Sequence, residues 1–336
     1  MVTSHDVARL AGVSQPTVSR ALRDSPKVSE LTRRRVRDAA TALGYVPSDT
    51  GRALSVGRTH RVGLLVTDLA NQFYTHTIAP MHLALQSLGY QLVLHTEASD
   101  AGNVAGNVAD RLLSNSLDGV LLATTAMDSV LPVRLRDRGM PFVYFNRRAS
   151  AVEADSVEVE ARSGMRELTE RVLALGHRRV GAVLGPANAS TASNRELILR
   201  STLATAGITI PDELSYRGGF DFETGYAGAR RLLEQDEPPT VIVCANDVVA
   251  YGALNAAREL GRSVPGDVSV TGFDDLPEAR WPLLQLTTVA FDLDAMARRA
   301  ASLLVDRIQD GPLEPYRHEW FPSHLVERAT LGPPAR

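Results

Sequence analysis

From Arg61 onward, the chain alternates short apolar runs with longer amphipathic stretches. The apolar runs are RVGLLVTD, QLVLHTE, DGVLLAT, PFVYFN, RRVGAVLG, TVIVCAND and DVSVTGFDD. Alternating strands and helices predict parallel sheets whose strands are joined by right-handed crossovers. Two such sets flank the region near Glu160, and the chain returns to the first set at Phe291. We therefore expect an α/β body of two doubly wound parallel-sheet lobes with a cleft between them.

The first 61 residues and the rest of the chain carry opposite net charges. The first 61 contain 11 Lys and Arg and 5 Asp and Glu, which gives +6. The whole chain carries −3, so the remainder carries −9. A basic module joined to an acidic body indicates that the polyanion-binding surface is confined to one end.

Composition limits the class of protein. A chain of 336 residues is too long for one core, and 44% hydrophobic with 22% charged residues is typical of soluble globular proteins. Neither an apolar run of about 20 residues nor a charged-then-apolar leader is present, so we expect a cytoplasmic protein with no membrane partner. A single cysteine, Cys244, excludes an intrachain disulfide and a cysteine-based zinc site.

The segment VTSHDVARLAGVSQPTVSRAL predicts two short helices joined by a glycine-containing turn, which is a helix-turn-helix. Thr3 and Asp6 give a start that resembles a capping box, and Ser14 caps the second helix. In this motif the second helix enters the major groove of DNA. Arg20 can present two donors to guanine, although it could instead be only a solvated charge.

The other outward residues of the second helix offer weaker contacts. Gln15 could meet adenine or a phosphate, whereas Pro16 has no group that reads a base. Thr17 and Ser19 are expected to contact phosphate. The predicted DNA-binding residues are Thr3, Ser14, Gln15, Pro16, Thr17, Ser19, Arg20, Ser29, Tyr45, Ser48 and Leu54.

Ser29 caps a predicted third helix that ends at Gly44 and carries a run of arginines. That run is either a solvated face or a set of phosphate contacts. After Pro47, Ser48 can cap one short turn, which is too brief to be stable alone and should fold only when docked. Leu54 would then enter the minor groove, while the alternative is an inert linker.

The stretches DVARLAGVSQPTVSRAL, VSELTRRRVRDAATALGYVPS and GRAL resemble the lactose-repressor (LacI/GalR) family of bacterial transcription regulators. The resemblance extends through nearly the whole chain and implies a body of the type I periplasmic-binding-protein architecture. It also implies that Gln15, Pro16 and Arg20 stand at the operator-reading positions of the family and that Leu54 stands at the position of the intercalating hinge leucine. Ser48 departs from the Asn that is usual in the family.

The expected organisation has three parts. A helix-turn-helix domain (1–46) is followed by a hinge helix and linker (47–60) and by an effector-binding and dimerisation domain (61–336). Within the last, lobe one is expected at about 61–160 and 291–320, and lobe two at about 161–290 and 321–336.

Polar and aromatic side chains follow the predicted strands, where doubly wound folds bind ligands. Amide, carboxylate, guanidinium and aromatic groups together suit a polyhydroxylated ligand. Each residue alone could instead be a helix cap, as expected for Asp247 and possible for Asn71. The predicted effector-binding residues are Asp68, Asn71, Phe73, Tyr74, Asn146, Thr191, Arg195, Phe220, Asn246, Asp274 and Phe291, and Arg147 directly follows one of them.

The resemblance implies effector roles for Asn146, Arg195, Phe220, Asn246 and Asp274. In the purine-binding member of the family an arginine stands where this chain has an alanine at position 189. That departure argues against a purine and leaves a sugar or sugar derivative as the expected ligand.

Three classes of function are compatible with these features. The first is a homodimeric repressor whose affinity for operator DNA is controlled by a small-molecule effector. The second is a ligand-binding or sugar-modifying α/β enzyme with an appended DNA-binding module, and the third is a transport binding protein. No phosphate loop, nucleophile elbow, dinucleotide fingerprint or metal-spaced histidine cluster is present, so we expect a regulator that is not an enzyme and needs no cofactor or metal.

Overall fold

The protein is described by a computed structural model, which covers residues 2–22, 24–45, 58–67, 69, 71–96, 104–114, 117–311 and 314–335. The chain forms two compact units, Met1–Thr59 and His60–Arg336. In the described part of the chain, every helix is too short or too polar to cross a membrane.

The first unit is the predicted three-helix domain. Its helices are α1 (Ser4–Ala11), α2 (Gln15–Leu22) and α3 (Glu30–Ala42). Val7, Val18 and Val36 are fully buried at the centre, one from each helix. Ser29 caps α3 as expected, since its hydroxyl accepts from the Thr32 amide at 3.3 Å.

Seven strands of the second unit form its larger sheet, in the order β10-β11-β5-β4-β3-β1-β2. The strands are β1 (Arg61–Val66), β2 (Gln91–Thr96), β3 (Gly119–Leu122), β4 (Phe142–Phe145), β5 (Ser156–Glu160), β10 (Thr288–Phe291) and β11 (His318–Val326). All neighbouring pairs are parallel except β10 and β11, which are antiparallel. An antiparallel pair is a departure from the wholly parallel sheet that the strand–helix alternation predicts.

A smaller sheet of four parallel strands has the order β7-β6-β8-β9. Its strands are β6 (Val180–Leu184), β7 (Ser215–Arg217), β8 (Val241–Cys244) and β9 (Ser269–Thr271). The order around β6 and β8 is that of a doubly wound sheet, in which the crossover direction reverses and side chains from neighbouring strand ends meet.

Helices cover both sheets and supply the amphipathic faces that the sequence predicts. They are α4 (Gln72–Ser87), α5 (Val104–Ser114), α6 (Leu131–Asp137), α7 (Ala161–Ala174), α8 (Ser190–Thr205), α9 (Phe222–Leu233), α10 (Asp247–Glu259) and α11 (Leu293–Asp310). Short 3₁₀ turns occupy Asp212–Leu214 and Pro277–Arg280.

The chain passes between the two sheets near residue 288. Thr287 makes an isolated bridge with Thr271 of the smaller sheet, and Thr288 begins β10 of the larger one. Strand β11 runs through residue 320, where the sequence predicts a change of lobe. The lobe boundaries themselves stay predictions.

Candidate nucleic-acid interface and ligand cleft

Helix α2 presents one face to the unit core and another to the outside. Val18 and Ala21 are buried, whereas Pro16 and Arg20 are exposed. Gln15, Thr17 and Ser19 are half-buried at the margin of that outer face. The exposed guanidinium of Arg20 has the accessibility that contact with a base edge requires.

Three of the predicted contact residues already have partners inside the unit. The hydroxyls of Ser14 and Thr17 form a hydrogen bond of 2.8 Å. The Gln15 amide donates to the Ser4 hydroxyl at 3.4 Å. One donor or acceptor of each side chain is therefore used inside the unit, and the others remain for a contact with DNA.

Three arginines of the α3 run bond to other residues of the same domain. Arg33 donates to the carbonyl of Asp24 at 3.2 Å, and Arg37 forms an ion pair with the carboxylate of the same residue. Arg35 donates to the carbonyl of Ala11 at 2.6 Å. The sequence left open whether these charges are solvated or contact phosphate, and the structure gives three of them an intramolecular role.

The remaining predicted contacts lie at the edges of the domain. Thr3 donates from its amide and its hydroxyl to Asp6, at 3.0 and 2.8 Å, and Tyr45 packs against the domain core. Ser48 and Leu54, with the rest of the predicted hinge, lie outside the described residues. Every DNA-binding role therefore stays a prediction.

A cavity of about 410 Å³ in the second unit is lined from the ends of strands in both sheets. Thr67, Thr124, Thr125 and Arg147 follow strands β1, β3 and β4 of the larger sheet, and Asn188, Ala189 and Phe220 follow β6 and β7 of the smaller one. This is where a doubly wound fold binds a ligand, because the carboxyl ends of parallel strands meet at one edge.

Two contacts at Phe220 connect the walls of the cavity. Asn71 caps α4, accepting from the Phe73 amide at 3.0 Å, and its amide group donates to the Phe220 carbonyl at 2.7 Å. The guanidinium of Arg147 lies 4.5 Å from the centroid of the Phe220 ring. A change in the spacing of the two sheets must therefore break or rearrange contacts at Phe220.

Four buried polar atoms in this wall have no hydrogen-bond partner among the described residues. They are the hydroxyl oxygens of Tyr74, Thr124 and Thr125 and the Nε of Arg147. Tyr74, Thr124 and Thr125 are only 1%, 5% and 4% exposed. Buried polar groups are nearly always hydrogen-bonded, so this wall has the donors and acceptors that a hydroxylated ligand needs.

Arg195 and Asp274 form a buried pair in the second unit, and neither is among the residues that line the cavity. The Nη2 of Arg195 lies 3.4 Å from Oδ1 of Asp274, and its Nη1 donates to a backbone carbonyl at 2.9 Å. The guanidinium also lies 3.5 Å from the Phe273 ring centroid, and the Phe291 ring packs on Phe273 at 6.0 Å. Burial raises the pKa of Asp274 to about 6, although the Arg195 charge opposes the increase.

The start of α10 differs from the expectation. Asn246 caps this helix, since its side-chain oxygen accepts from the Val249 amide at 2.9 Å. The Asp247 carboxylate instead accepts from the Leu276 amide at 2.8 Å and the Thr288 hydroxyl at 2.5 Å. The prediction that Asp247 caps the helix is wrong, because a carboxylate that reaches another loop cannot also turn back to its own first turn.

The predicted effector residues are thus brought together only in part. Asn71, Tyr74 and Phe220 line the cavity. Phe73 packs edge-on against Tyr74 in the core, and Thr191 is half-buried in the first turn of α8. Asp68 lies outside the described residues. The effector roles of all these residues stay predictions.

Asn146 is a further buried polar residue at the end of β4. It is 5% exposed, adopts a φ of +66° and leaves its side-chain oxygen without a partner among the described residues. An asparagine tolerates this left-handed conformation better than most residues. Its side-chain oxygen is therefore a buried acceptor without a described donor, and Asn146 is not among the residues that line the cavity.

Thr124 and Thr125 line the cavity but are not among the predicted effector-binding residues. They follow β3 at the end of the run DGVLLAT, the same position relative to a strand as the residues that were chosen after other strands. Their hydroxyls were overlooked because threonine is also an ordinary strand residue. The strand-end position was the signal that could have found them.

Each of the two units contains residues that match a known protein family. A family model described as bacterial regulatory proteins, lacI family, matches residues 3–48, and one for a periplasmic binding protein-like domain matches residues 169–331. The HTH-type transcriptional regulator CelR of Thermobifida fusca is 35% identical over 329 residues, covering 96% of each chain.

Two solved structures align along almost the whole chain. One is a complex of the transcriptional regulator CelR with cellobiose, with 33% identity, a TM-score of 0.75, and coverage of 98% of this chain and 100% of that chain. The other is the lac repressor dimer bound to operator and the anti-inducer ONPF, with 25% identity, a TM-score of 0.86 and coverage of 98% of both chains.

Proposed function

The chain belongs to the LacI family of bacterial regulatory proteins, and we propose that a sugar bound in the cleft of its second unit sets its affinity for operator DNA. Members of this family are DNA-binding transcription regulators and not enzymes, so the sugar-modifying alternative is set aside. The protein is a sequence-specific DNA-binding regulator. We propose that it acts as a repressor in the cytoplasm.

The proposal that the ligand is a sugar depends mainly on one observation. The cavity wall holds the hydroxyls of Tyr74, Thr124 and Thr125, which have no hydrogen-bond partner among the described residues, beside the aromatic ring of Phe220. Hydroxyl groups pair with the equatorial hydroxyls of a sugar, and an aromatic face packs against the apolar face of its ring. A relative that covers the same length was solved with cellobiose, which supports the same ligand class here.

Control of DNA binding follows from the contacts at Phe220. The Asn71 side chain and the Phe220 carbonyl belong to opposite walls, so a ligand between them favours one spacing of the walls. Such a ligand shifts operator affinity only by its differential binding to the two states. We further propose a homodimer on a pseudopalindromic operator, as the solved lac repressor dimer supports.

The test uses the purified full-length chain. Selection from random duplexes defines the operator, and a panel of neutral sugars and their uronic acids is screened by thermal shift, because a ligand that binds the folded state raises the melting temperature. We expect at least one sugar to raise the melting temperature and to change operator affinity. Unselective DNA binding, or a bound sugar with no effect on operator affinity, would contradict the proposal.

A matched pair of variants tests the site itself. Tyr74→Phe removes a partnerless hydroxyl in the cavity, and we expect it to weaken sugar binding. Tyr144→Phe removes a hydroxyl that donates to the Val152 carbonyl at 3.0 Å, and we expect it to leave sugar affinity unchanged. Equal sugar affinities in the two variants would place the ligand elsewhere.

A further inference from the structure

Arg147 is the cation that enters the cleft without a counter-ion. The adjacent arginine is paired, since Arg148 lies 3.8 Å from Glu158. Arg147 lines the cavity and forms no ion pair with any described residue. Among the described residues that line the cavity, Arg147 is the cation, and no described carboxylate lies within ion-pair distance of it.

The acidic groups closest to Arg147 are otherwise engaged. Asp274 pairs with Arg195 at 3.4 Å, and both side chains are less than 8% exposed. At the rim, the Asp221 carboxylate caps α9 by accepting from the Thr224 amide at 2.7 Å. Glu223 is exposed to solvent in the first turn of the same helix. The two carboxylates of the described lining are therefore a helix cap and a solvent-exposed side chain, and neither forms an ion pair with Arg147.

The position of the guanidinium suits an oxyanion. Its plane lies over the Phe220 ring at 4.5 Å, which fixes its orientation, and its buried Nε has no acceptor among the described residues. A guanidinium presents its donors in a rigid fork that matches a carboxylate. Partial burial of a charge without a partner raises the free energy of the folded protein. Pairing with an anionic group of the ligand would offset that desolvation free energy.

We propose that the ligand of this cleft is a sugar acid whose carboxylate pairs with Arg147 while its ring hydroxyls meet Tyr74, Thr124 and Thr125. The inference rests on the proposed function and names the substrate class of the same site. A carboxylate fits better than a phosphate monoester, because one unpaired cation balances one charge and a phosphate carries about −1.5 to −2 at pH 7.

The test compares ligands that differ at a single carbon. Isothermal titration of the full-length chain uses cellobiose, its 6′-uronic acid and its 6′-phosphate, and glucose, glucuronate and glucose 6-phosphate. We expect each uronic acid to bind about tenfold or more tighter than its neutral parent, since a charge-assisted bond contributes about 1.5–3 kcal/mol. The phosphates should bind more weakly than the uronic acids.

Adjacent arginines provide the matched control. Arg147→Gln should reduce the preference for the uronic acid to about twofold or less, a loss of roughly 1 kcal/mol or more. Arg148→Gln removes the same charge one residue away, on a side chain that faces Glu158, and should keep the full preference. Retained binding of the neutral sugar shows that each variant is folded.

The outcomes distinguish a failure of the sugar-acid inference from a failure of the proposed function. If neutral sugars bind as tightly as their acids, or if the phosphates bind tightest, the sugar-acid inference is wrong and the proposed function stands. An equal loss of preference in Arg147→Gln and Arg148→Gln would also overturn it. If no sugar of either kind binds, the proposed function and this inference both fail.

Discussion

At the scale of single residues, the predicted DNA-binding surface and the predicted effector site differ in how exposed their side chains are. Arg20 stands exposed on α2, whereas Arg195 and Asp274 are buried and pair with each other. A base-reading residue needs access to the groove, while a ligand-binding pair in a cleft gains orientation from its neighbours. Substitutions on the two surfaces should therefore change different measurements.

Arg20→Ala should remove discrimination between operator and random DNA while weak nonspecific binding persists. A guanidinium that meets guanine contributes about 1–3 kcal/mol of discrimination, whereas phosphate contacts carry no sequence information. A gel-shift titration on operator and on scrambled DNA measures both affinities. Arg9→Ala, on the exposed side of α1, is the control, and equal weakening on both DNAs by Arg20→Ala would refute the base-reading role.

Asp274→Ala should abolish the ligand response and leave operator affinity in the absence of ligand unchanged. The carboxylate is the buried partner of Arg195, so its loss leaves the guanidinium of this predicted effector residue without its ion-pair partner. Operator binding titrated against sugar concentration measures the response. Asp267→Ala removes an exposed carboxylate that accepts from Ser263 and is the control. A normal titration in Asp274→Ala would remove this residue from the site.

At the scale of elements, two helices beside the cleft approach each other through glycines. A Cβ added at Gly252 of α10 would lie 2.1 Å from the Phe222 carbonyl oxygen and 2.5 Å from the Tyr226 amide. A Cβ added at Gly225 of α9 would lie 1.9 Å from the Val249 carbonyl oxygen. Because the obstructing atoms are backbone, neither helix can adopt a larger residue here without moving.

Gly252→Ala should therefore lower stability, by about 1–3 kcal/mol as for other overpacked sites. Helix propensity alone predicts the opposite sign, since alanine is favoured over glycine by about 1 kcal/mol in a helix interior. Urea unfolding of the variant and the parent chain decides between the two effects. An increase in the free energy of unfolding would show that α9 and α10 separate easily.

A buried ion network holds the start of β5 to α11 and β11. Asp155 is 1% exposed and accepts from Nε and Nη2 of Arg307 at 2.8 and 2.6 Å. It also accepts from the amide of Arg317 at 2.7 Å. Burial opposes the charged form of Asp155, but the hydrogen bonds from Arg307 and Arg317 outweigh it and lower its pKa.

Asp155→Asn should destabilise the second unit at neutral pH by about 3–5 kcal/mol, because it leaves the Arg307 charge buried without its partner. Since the folded-state pKa of Asp155 lies below the unfolded value of about 3.9, the carboxylate stabilises the fold above that pH. The contribution is lost as pH falls through the folded-state pKa. Urea unfolding at pH 7 and between pH 4 and 3 should show a steeper acid loss in the parent than in the variant, and parallel pH profiles would contradict the assignment.

At the scale of the whole molecule, ligand and operator must influence each other by the same factor. If the sugar changes operator affinity tenfold, operator DNA must change sugar affinity about tenfold in the same direction. Isothermal titration of sugar with and without an operator duplex measures the second factor, and gel shifts measure the first. Unequal factors would mean that a further equilibrium, such as subunit association, is coupled to binding.

A small part of the cavity lining could be anticipated, because strand ends are visible in the sequence. Asn71, Tyr74 and Phe220 were chosen for that reason, and all three line the cavity. The role of Asn246 as the cap of α10 was assigned to its neighbour Asp247, because both types of residue cap helices. Local pattern could not distinguish them, since the loop that occupies the Asp247 carboxylate lies 29 residues away.

Local sequence patterns were sufficient to predict the elements: the three helices of the first unit, and the strand–helix alternation that produces two largely parallel sheets. Those features depend on capping residues and on periodic burial, which act over a few positions. The antiparallel pairing of β10 with β11, the close approach of α9 and α10, and the contact of Asn71 with Phe220 could not be predicted from local sequence. They depend on how the elements pack in three dimensions. The contact of Asn71 with Phe220 joins residues 149 positions apart, and contacts at such separation depend on how whole elements pack and not on local sequence.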